Sequence, residues 1–269
     1  MGKLITVVIP TYNRRRKTIQ AIESVISSKP GLVEIIVVDD CGSIPFEYPS
    51  VRNNCGVAVR VLSLDVNSGP GIARMLGVKH ATSNYIAFLD SDDVYSPAWV
   101  DYLLTKIASY SSSGNARVFI AGHAVGGNSS GFFVTKFLSL VPENLQTVLT
   151  RFVSIFFNPF YTPTLFMHKD CCHFLKGLRH CEDYYTNVLG VFTSSEVLVV
   201  REVACELGRE PNSKGGESND KIKMSRGEMV VRKSMLRSNS ISVLYRLFVP
   251  LGMLYQMARI SFKKLFSFK

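Results

Sequence analysis

The chain has 269 residues, 46% hydrophobic and 19% charged, with a formal net charge of +10. That length suits one large α/β domain, or one domain with a small appendix, and leaves little room for two full domains, while the composition supports a packed interior and excludes disorder throughout. The charge does not read as nucleic-acid binding. Residues 229–269 hold no Asp or Glu, but they include Arg232, Lys233, Arg237, Arg246, Arg259, Lys263, Lys264 and Lys269, interleaved with aliphatic more than polar residues.

In chain order, short apolar runs alternate with amphipathic stretches, as in βαβ units around a largely parallel sheet. Strands are predicted at Leu4–Ile9, Glu34–Val38, Val57–Leu62 and Tyr85–Leu89. Helices are predicted at 15–28, from Ile19, Ala21, Ile22, Val25 and Ile26 at helical spacing, at 71–81, and from Pro97 to about Tyr110. A strand at Arg117–Ala121 leads into a glycine- and serine-rich break at Gly122–Gly131, expected to be a turn or mobile loop. Helix 144–157, strand Thr164–His168, helix 182–191 and strand Glu196–Val200 complete the series, and Glu206–Ser225 reads as flexible. The six cysteines show no CxxC or zinc-finger spacing and read as reduced thiols of a cytosolic protein. The apolar run before Pro10 is too short for a signal peptide.

The sharpest chemical feature is Asp90-Ser91-Asp92-Asp93 at the end of an apolar strand. Ligands of open α/β sheets bind beyond the carboxyl ends of strands, and clustered carboxylates there suit a Mg²⁺ or Mn²⁺ that also holds phosphate oxygens. An isolated motif of this kind is equally an Asp/Ser turn capping the next helix. Asp39 and Asp40 end a neighbouring strand, so the acidic groups gather at one sheet edge. Pro10-Thr11-Tyr12-Asn13 ends the first strand in a turn able to hold a base or ribose. Asn67-Ser68-Gly69-Pro70-Gly71 enters a helix as a loop fitted to a phosphate, with Arg74 one turn in. Arg74 stands where a dinucleotide fingerprint has its third glycine, and there is no Walker lysine.

These four segments, in this order and spacing, resemble family 2 glycosyltransferases with the GT-A fold, over about residues 3–200. The resemblance implies an inverting, metal-dependent hexosyltransferase with a mostly parallel sheet flanked by helices. It implies that Pro10, Thr11, Tyr12, Asn13, Gly71, Arg74, Asp90 and Ser91 line the nucleotide-sugar site, and that Asp39 or Asp40 contacts the base, commonly uracil. Asp92 and Asp93 would then ligate Mn²⁺ or Mg²⁺ on the donor diphosphate. The family's acidic catalytic pair is matched by Glu182-Asp183, with Asp183 as general base and Glu182 orienting the acceptor or Asp183. His180 is a candidate to approach the metal or the diphosphate, its alternative being a bystander loop histidine. Two positions depart from the pattern: Cys41 follows the acidic pair where Gly-Ser is usual, and Met75 replaces an asparagine.

The expected organisation is a GT-A domain at 1–205, with a nucleotide-binding half at 1–121 and an acceptor half at 122–205. A flexible loop at 206–228 and a basic amphipathic helical tail at 229–269 follow. The tail is too broken by Pro250, Gly252 and charge to span a bilayer and reads as lying on an anionic membrane surface, its alternative being helices packed on the catalytic domain or on a partner chain. The expected activity is transfer from a nucleotide diphosphate sugar, UDP-linked, to a lipid-linked saccharide in surface polysaccharide synthesis such as O-antigen or capsule. It would take place at the inner face of the cell membrane, with no nucleic acid involved. The rivals are a sugar nucleotidyltransferase, whose first loop should be glycine-rich where Pro10–Arg16 is not, and a non-catalytic peripheral membrane protein that keeps the fold.

Overall fold

The computed structural model describes residues 4–26, 31–48, 57–111, 116–126, 130–208 and 220–266. Strand β1 (Ile5–Thr11) and strand β2 (Val33–Asp39) are buried along their whole lengths, which their near-continuous aliphatic sequences permit only with both sheet faces covered. They pair in parallel, with β3 (Ala58–Ser63) outside β2 and β4 (Tyr85–Phe88) on the other side of β1. The register sets Thr11 beside Asp39 and Val8 beside Phe88, so the residues following each strand emerge at one edge. Beyond β4 the order continues through β7 (Leu165–His168), β6 (Val118–Val125), β8 (Glu196–Glu206) and β5 (Val94–Tyr95). Strand β7 is antiparallel to both neighbours and β6 is parallel to β8, so the eight-stranded sheet is mixed.

Helix α1 (Arg15–Ile26) buries Thr18, Ala21, Ile22 and Val25 on one face of the sheet, and α3 (Pro97–Ser111) joins it there through Trp99, Leu103 and Ile107. On the other face α2 (Pro70–His80) lies against β1 and β2. A Cβ on Gly77 would meet Val8 Cγ1 at 2.4 Å, so glycine is required for that approach. Helices α4 (Ser130–Leu138), α5 (Glu143–Phe156) and α6 (Glu182–Thr193) lead to the C-terminal α7 (Lys221–Arg237), α8 (Val243–Arg246) and α9 (Val249–Phe266).

Three expectations change. The break at Gly122–Gly131 is mostly regular, because β6 runs on to Val125 and α4 starts at Ser130; residues 127–129 lie outside the described residues. Gly122 is there for packing, not turning: a Cβ would sit 2.9 Å from the Trp99 ring. Strand β8 extends to Glu206, six residues past the expected end, because β6 and β5 both pair with its second half. The flexible loop placed at 206–228 is helical from Lys221, where the Asp220 side chain accepts from the amides of Ile222 and Lys223; residues 209–219 lie outside the described residues.

The start of the basic tail is also partly core. Val231, Met235, Ile241 and Val249 pack with Tyr184, Val188 and Ile155 of α6 and α5. Arg232 is fully buried, donates to the carbonyls of Ile155 and Phe156, pairs with Glu228 at 3.2 Å and lies 5.4 Å over the Tyr184 ring. That cation is therefore removed from any surface.

Candidate active site

The strand ends of β1, β2 and β4 and the start of α6 converge. Pro10 and Thr11 are buried at the end of β1, where the Thr11 hydroxyl bonds that of Thr18 at 2.6 Å. Tyr12 is 47% exposed on the rim, and Asn13, left-handed at φ 54°, accepts from the Ser43 amide and hydroxyl. Both Asp39 oxygens are taken by backbone, from Gly42 at 3.1 Å and Phe46 at 2.9 Å. Asp40 accepts from the amides of Ser68 and Gly69 at 2.7 and 2.8 Å, tying the strand end to the glycine-rich loop. These two buried carboxylates thus shape the loops around the site.

Three non-glycine residues adopt left-handed backbone among the described residues: Asn13 after β1, Cys41 after β2 and Cys181 before α6. All three border this site, where such costly conformations concentrate.

Arg74 lies at the centre. It is buried beneath the loop, and its guanidinium bridges Asp90 at 2.5 Å and Glu182 at 3.4 Å. Burial opposes its charge, but Asp90 and Glu182 outweigh that and hold its pKa above the ordinary value. The cation the sequence assigned to a phosphate thus joins the acidic turn after β4 to the acidic start of α6. Gly71 permits the contact, since a Cβ there would sit 2.5 Å from Glu182 Cγ.

In the acidic turn, Ser91 is buried and Asp92 pairs with Arg14 at 3.1 Å. Asp93 accepts from the Gly208 amide at 2.9 Å. Burial, then Asp90 and Asp92, push the Asp93 carboxyl up to about 8 against that hydrogen bond. Three carboxylates crowded into one turn, only partly offset by Arg14 and Arg74, fit a divalent cation. Among the described residues no group of three or more His, Cys, Asp or Glu side chains is arranged to hold a metal by itself.

Asp183 opens α6, partly buried, and accepts from Asn158 Nδ2 at 3.1 Å; Asn158 in turn accepts from Asn187. Burial raises the Asp183 carboxyl above its ordinary value, opposed by the Tyr184 amide and Arg74 and reinforced by Asp90. His180 has a buried Nδ1 with no partner.

Sequence reasoning missed three residues here. Asn158 only follows the predicted helix 144–157, Arg14 is the first of four consecutive cations, and Gly208 lies in a segment read as flexible. A Cβ on Gly208 would come 1.7 Å from the Asp92 carbonyl oxygen. No local pattern reveals such contacts, since each partner is remote in sequence.

A mixed, helix-flanked sheet with carboxylates at its strand ends and an acidic helix start facing them defines the chain as a GT-A-fold glycosyltransferase. It belongs to glycosyltransferase family 2: the family model described as "Glycosyl transferase family 2" matches residues 6–158. Among curated relatives, the succinoglycan biosynthesis protein ExoO of Rhizobium meliloti is 38% identical over 98 residues, covering 35% of this chain and 26% of ExoO. The chain spans only 25–29% of the length of such relatives. Two solved structures share the fold. S. aureus TarS 1–349 in complex with UDP-GlcNAc has a TM-score of 0.62 at 16% identity, covering 94% of this chain and 72% of that one. The mannosyltransferase PcManGT of Pyrobaculum calidifontis, in complex with GDP-Man and Mn²⁺, has a TM-score of 0.63 at 12% identity, covering 97% and 75%.

Proposed function

We propose that this family 2 glycosyltransferase transfers a sugar, with inversion, from a UDP-sugar to a hydroxyl of a lipid-linked saccharide during surface polysaccharide synthesis, such as O-antigen or capsule. The observation that carries the reading is the Asp90–Arg74–Glu182 bridge, which sets the acidic pair of α6 beside the carboxylate turn after β4. Donor and acceptor chemistry then share one edge of the sheet.

Asp183 acts as general base. The acceptor hydroxyl gives its proton to Asp183 as its oxygen bonds the anomeric carbon from the face opposite the diphosphate, and the bond from that carbon to the diphosphate oxygen breaks. Asn158 fixes the Asp183 carboxylate through Oδ2, and Arg74 fixes Glu182, which orients the acceptor. Pro10, Thr11, Tyr12, Asn13, Gly71 and Ser91 border the nucleotide-sugar site, with Asp39 and Asp40 shaping its loops. Mn²⁺ or Mg²⁺ would be held by Asp92 and Asp93 and, when bound, would offset charge on the leaving diphosphate.

The UDP donor is supported by the UDP-GlcNAc complex of TarS and the metal by the Mn²⁺ complex of PcManGT, both of the same fold. The surface-polysaccharide setting is supported by ExoO, whose name places it in succinoglycan biosynthesis. No helix among the described residues is long and apolar enough to cross a membrane. The lipid-linked acceptor and a location on the cytoplasmic face of the membrane rest on the basic, amphipathic C-terminal residues.

The test is thermal stabilisation of the protein by UDP, GDP, CMP and dTDP with and without Mn²⁺, followed by transfer assays on Asp183→Asn. Metal-dependent stabilisation by UDP, retained in Asp183→Asn while transfer falls by about 10²–10⁴-fold, is the expected result. The raised Asp183 pKa adds a sign. The base works ionised, so wild-type transfer falls as pH drops through a value above the ordinary 3.8. Stabilisation by no nucleotide sinks the reading in favour of a protein that keeps the fold without the activity.

A further inference from the structure

Helix α5 is apolar on both sides. Its inner side packs Leu149, Val153 and Ile155 into the core beside buried Gln146, Thr150 and Ser154, while Leu145, Val148 and Phe152 line its exposed side at helical spacing. A helix lying between a core and water carries polar residues on the side that faces water. Gln146 finds partners inside, donating to the carbonyls of Val141 and Val199 and accepting from the Val199 amide. The hydroxyls of Thr150 and Ser154 are buried with no partner. The outward stripe, with Leu145 at 53% and Val148 at 57% exposure, is an apolar surface of the kind that meets a partner or a membrane.

The stripe continues on its neighbours. Helix α5 touches α4, α8 and α9, which expose Phe137, Leu244, Leu251 and Leu254. The rings of Phe152 and Phe248 stand 5.4 Å apart edge to face, joining α5 to the turn before α9. Helices α4, α8 and α9 contain no acidic residue, and α5 has only Glu143, in its first turn. Cations are interspersed instead: Lys136 on α4, Arg246 on α8 and Arg259 over the Tyr255 ring on α9.

We infer that α4, α5, α8 and α9 form one platform that docks the enzyme in the headgroup region of an anionic bilayer. An apolar surface carrying cations and almost no acids complements anionic lipid. A second copy of the chain fits it poorly, because a two-fold contact would set the same cations against one another. The inference rests on the reading that the C-terminal residues meet a membrane. It extends that contact to α4 and α5 of the catalytic domain, and so fixes which side of the enzyme faces lipid.

The test is co-sedimentation of the full chain with vesicles of phosphatidylcholine alone or mixed with phosphatidylglycerol. Two double variants are compared with wild type, L145Q/V148Q on α5 and L251Q/L254Q on α9. Wild type should bind the anionic vesicles, and each variant should lose about tenfold in partitioning with an unchanged melting temperature. If L145Q/V148Q binds like wild type and only L251Q/L254Q is impaired, the platform is wrong and the tail alone holds the membrane. If wild type binds neither vesicle, both readings fall. A wild-type dimer that L145Q/V148Q dissociates, with no vesicle binding, would assign the surface to self-association and overturn the platform. Should L145Q/V148Q not fold, F137S on α4 carries the same expectation.

Discussion

The two edges of the sheet hold buried carboxylates in opposite states. At the amino edge, Glu34 of β2 accepts from the Thr6 hydroxyl, the amide and hydroxyl of Thr82, and Arg60 at 3.2 Å. Burial alone would raise its pKa, but these hydrogen bonds outweigh that and hold it below the ordinary 4.5. At the carboxyl edge, Asp93 accepts from the Gly208 amide, and burial and the facing Asp90 and Asp92 push it up to about 8. The same chemical group is a structural link where several donors surround it, and is pushed up where deeper burial and neighbouring carboxylates outweigh a single backbone donor.

Breaking the link between the donor and acceptor parts of the carboxyl edge should have the largest effect. Arg74→Ala leaves Asp90 and Glu182 facing each other without their shared cation and should cost about 3 kcal/mol of stability. Denaturant unfolding measures that loss, and transfer should fall further than the fraction folded accounts for. A variant with full activity would show that Arg74 positions nothing.

At the amino edge, Glu34→Gln should cost about 2 kcal/mol while leaving kcat/KM unchanged. Because the Glu34 pKa is lowered on folding, its contribution is complete above about 4.5 and lost as pH falls through the lower folded value. The stability difference between wild type and Glu34→Gln should therefore shrink in acid. A constant difference would mean that Glu34 acts by packing alone.

Asp93→Asn sharpens the contrast. It removes repulsion from Asp90 and Asp92 while its side-chain oxygen can still accept from Gly208. Without added metal the melting temperature should rise, by an amount corresponding to about 1 kcal/mol, while metal-dependent stabilisation by UDP disappears. A fall in melting temperature would place the Asp93 charge among the supports of the fold.

Cys41→Gly should have the smallest effect. Cys41 holds φ at 59°, a conformation glycine adopts freely, so the exchange should stabilise by under about 1 kcal/mol after the entropy of the unfolded glycine is set against it. Thermal unfolding measures this, and destabilisation would show that the side-chain contact of Cys41 with the Asp65 carbonyl matters more than the backbone.

Much of this was legible in the chain. The βαβ order up to β4 followed from apolar runs of strand length and from α1's helical spacing, which are local signals. The acidic residues also stood where strands end, so a parallel register had to bring them to one edge. The second half was less legible. Gly122 looked like a break but is a packing glycine under Trp99, and α4 with its exposed aromatics lacked a clear polar face to mark it.

The sequence by itself determined the elements of the first half, the edge at which the carboxylates gather and the family to which the chain belongs, because periodicity and motif spacing are properties of neighbouring residues. Only the tertiary structure decided that Arg74 faces Asp90 and Glu182, 108 positions away from it in the second case, that Gly208 closes on the Asp92–Asp93 turn, that Arg232 lies in the core and that α5 leaves Leu145, Val148 and Phe152 exposed. Those outcomes depend on which remote surfaces meet, and side-chain type alone does not say where burial, charge or solvent will fall.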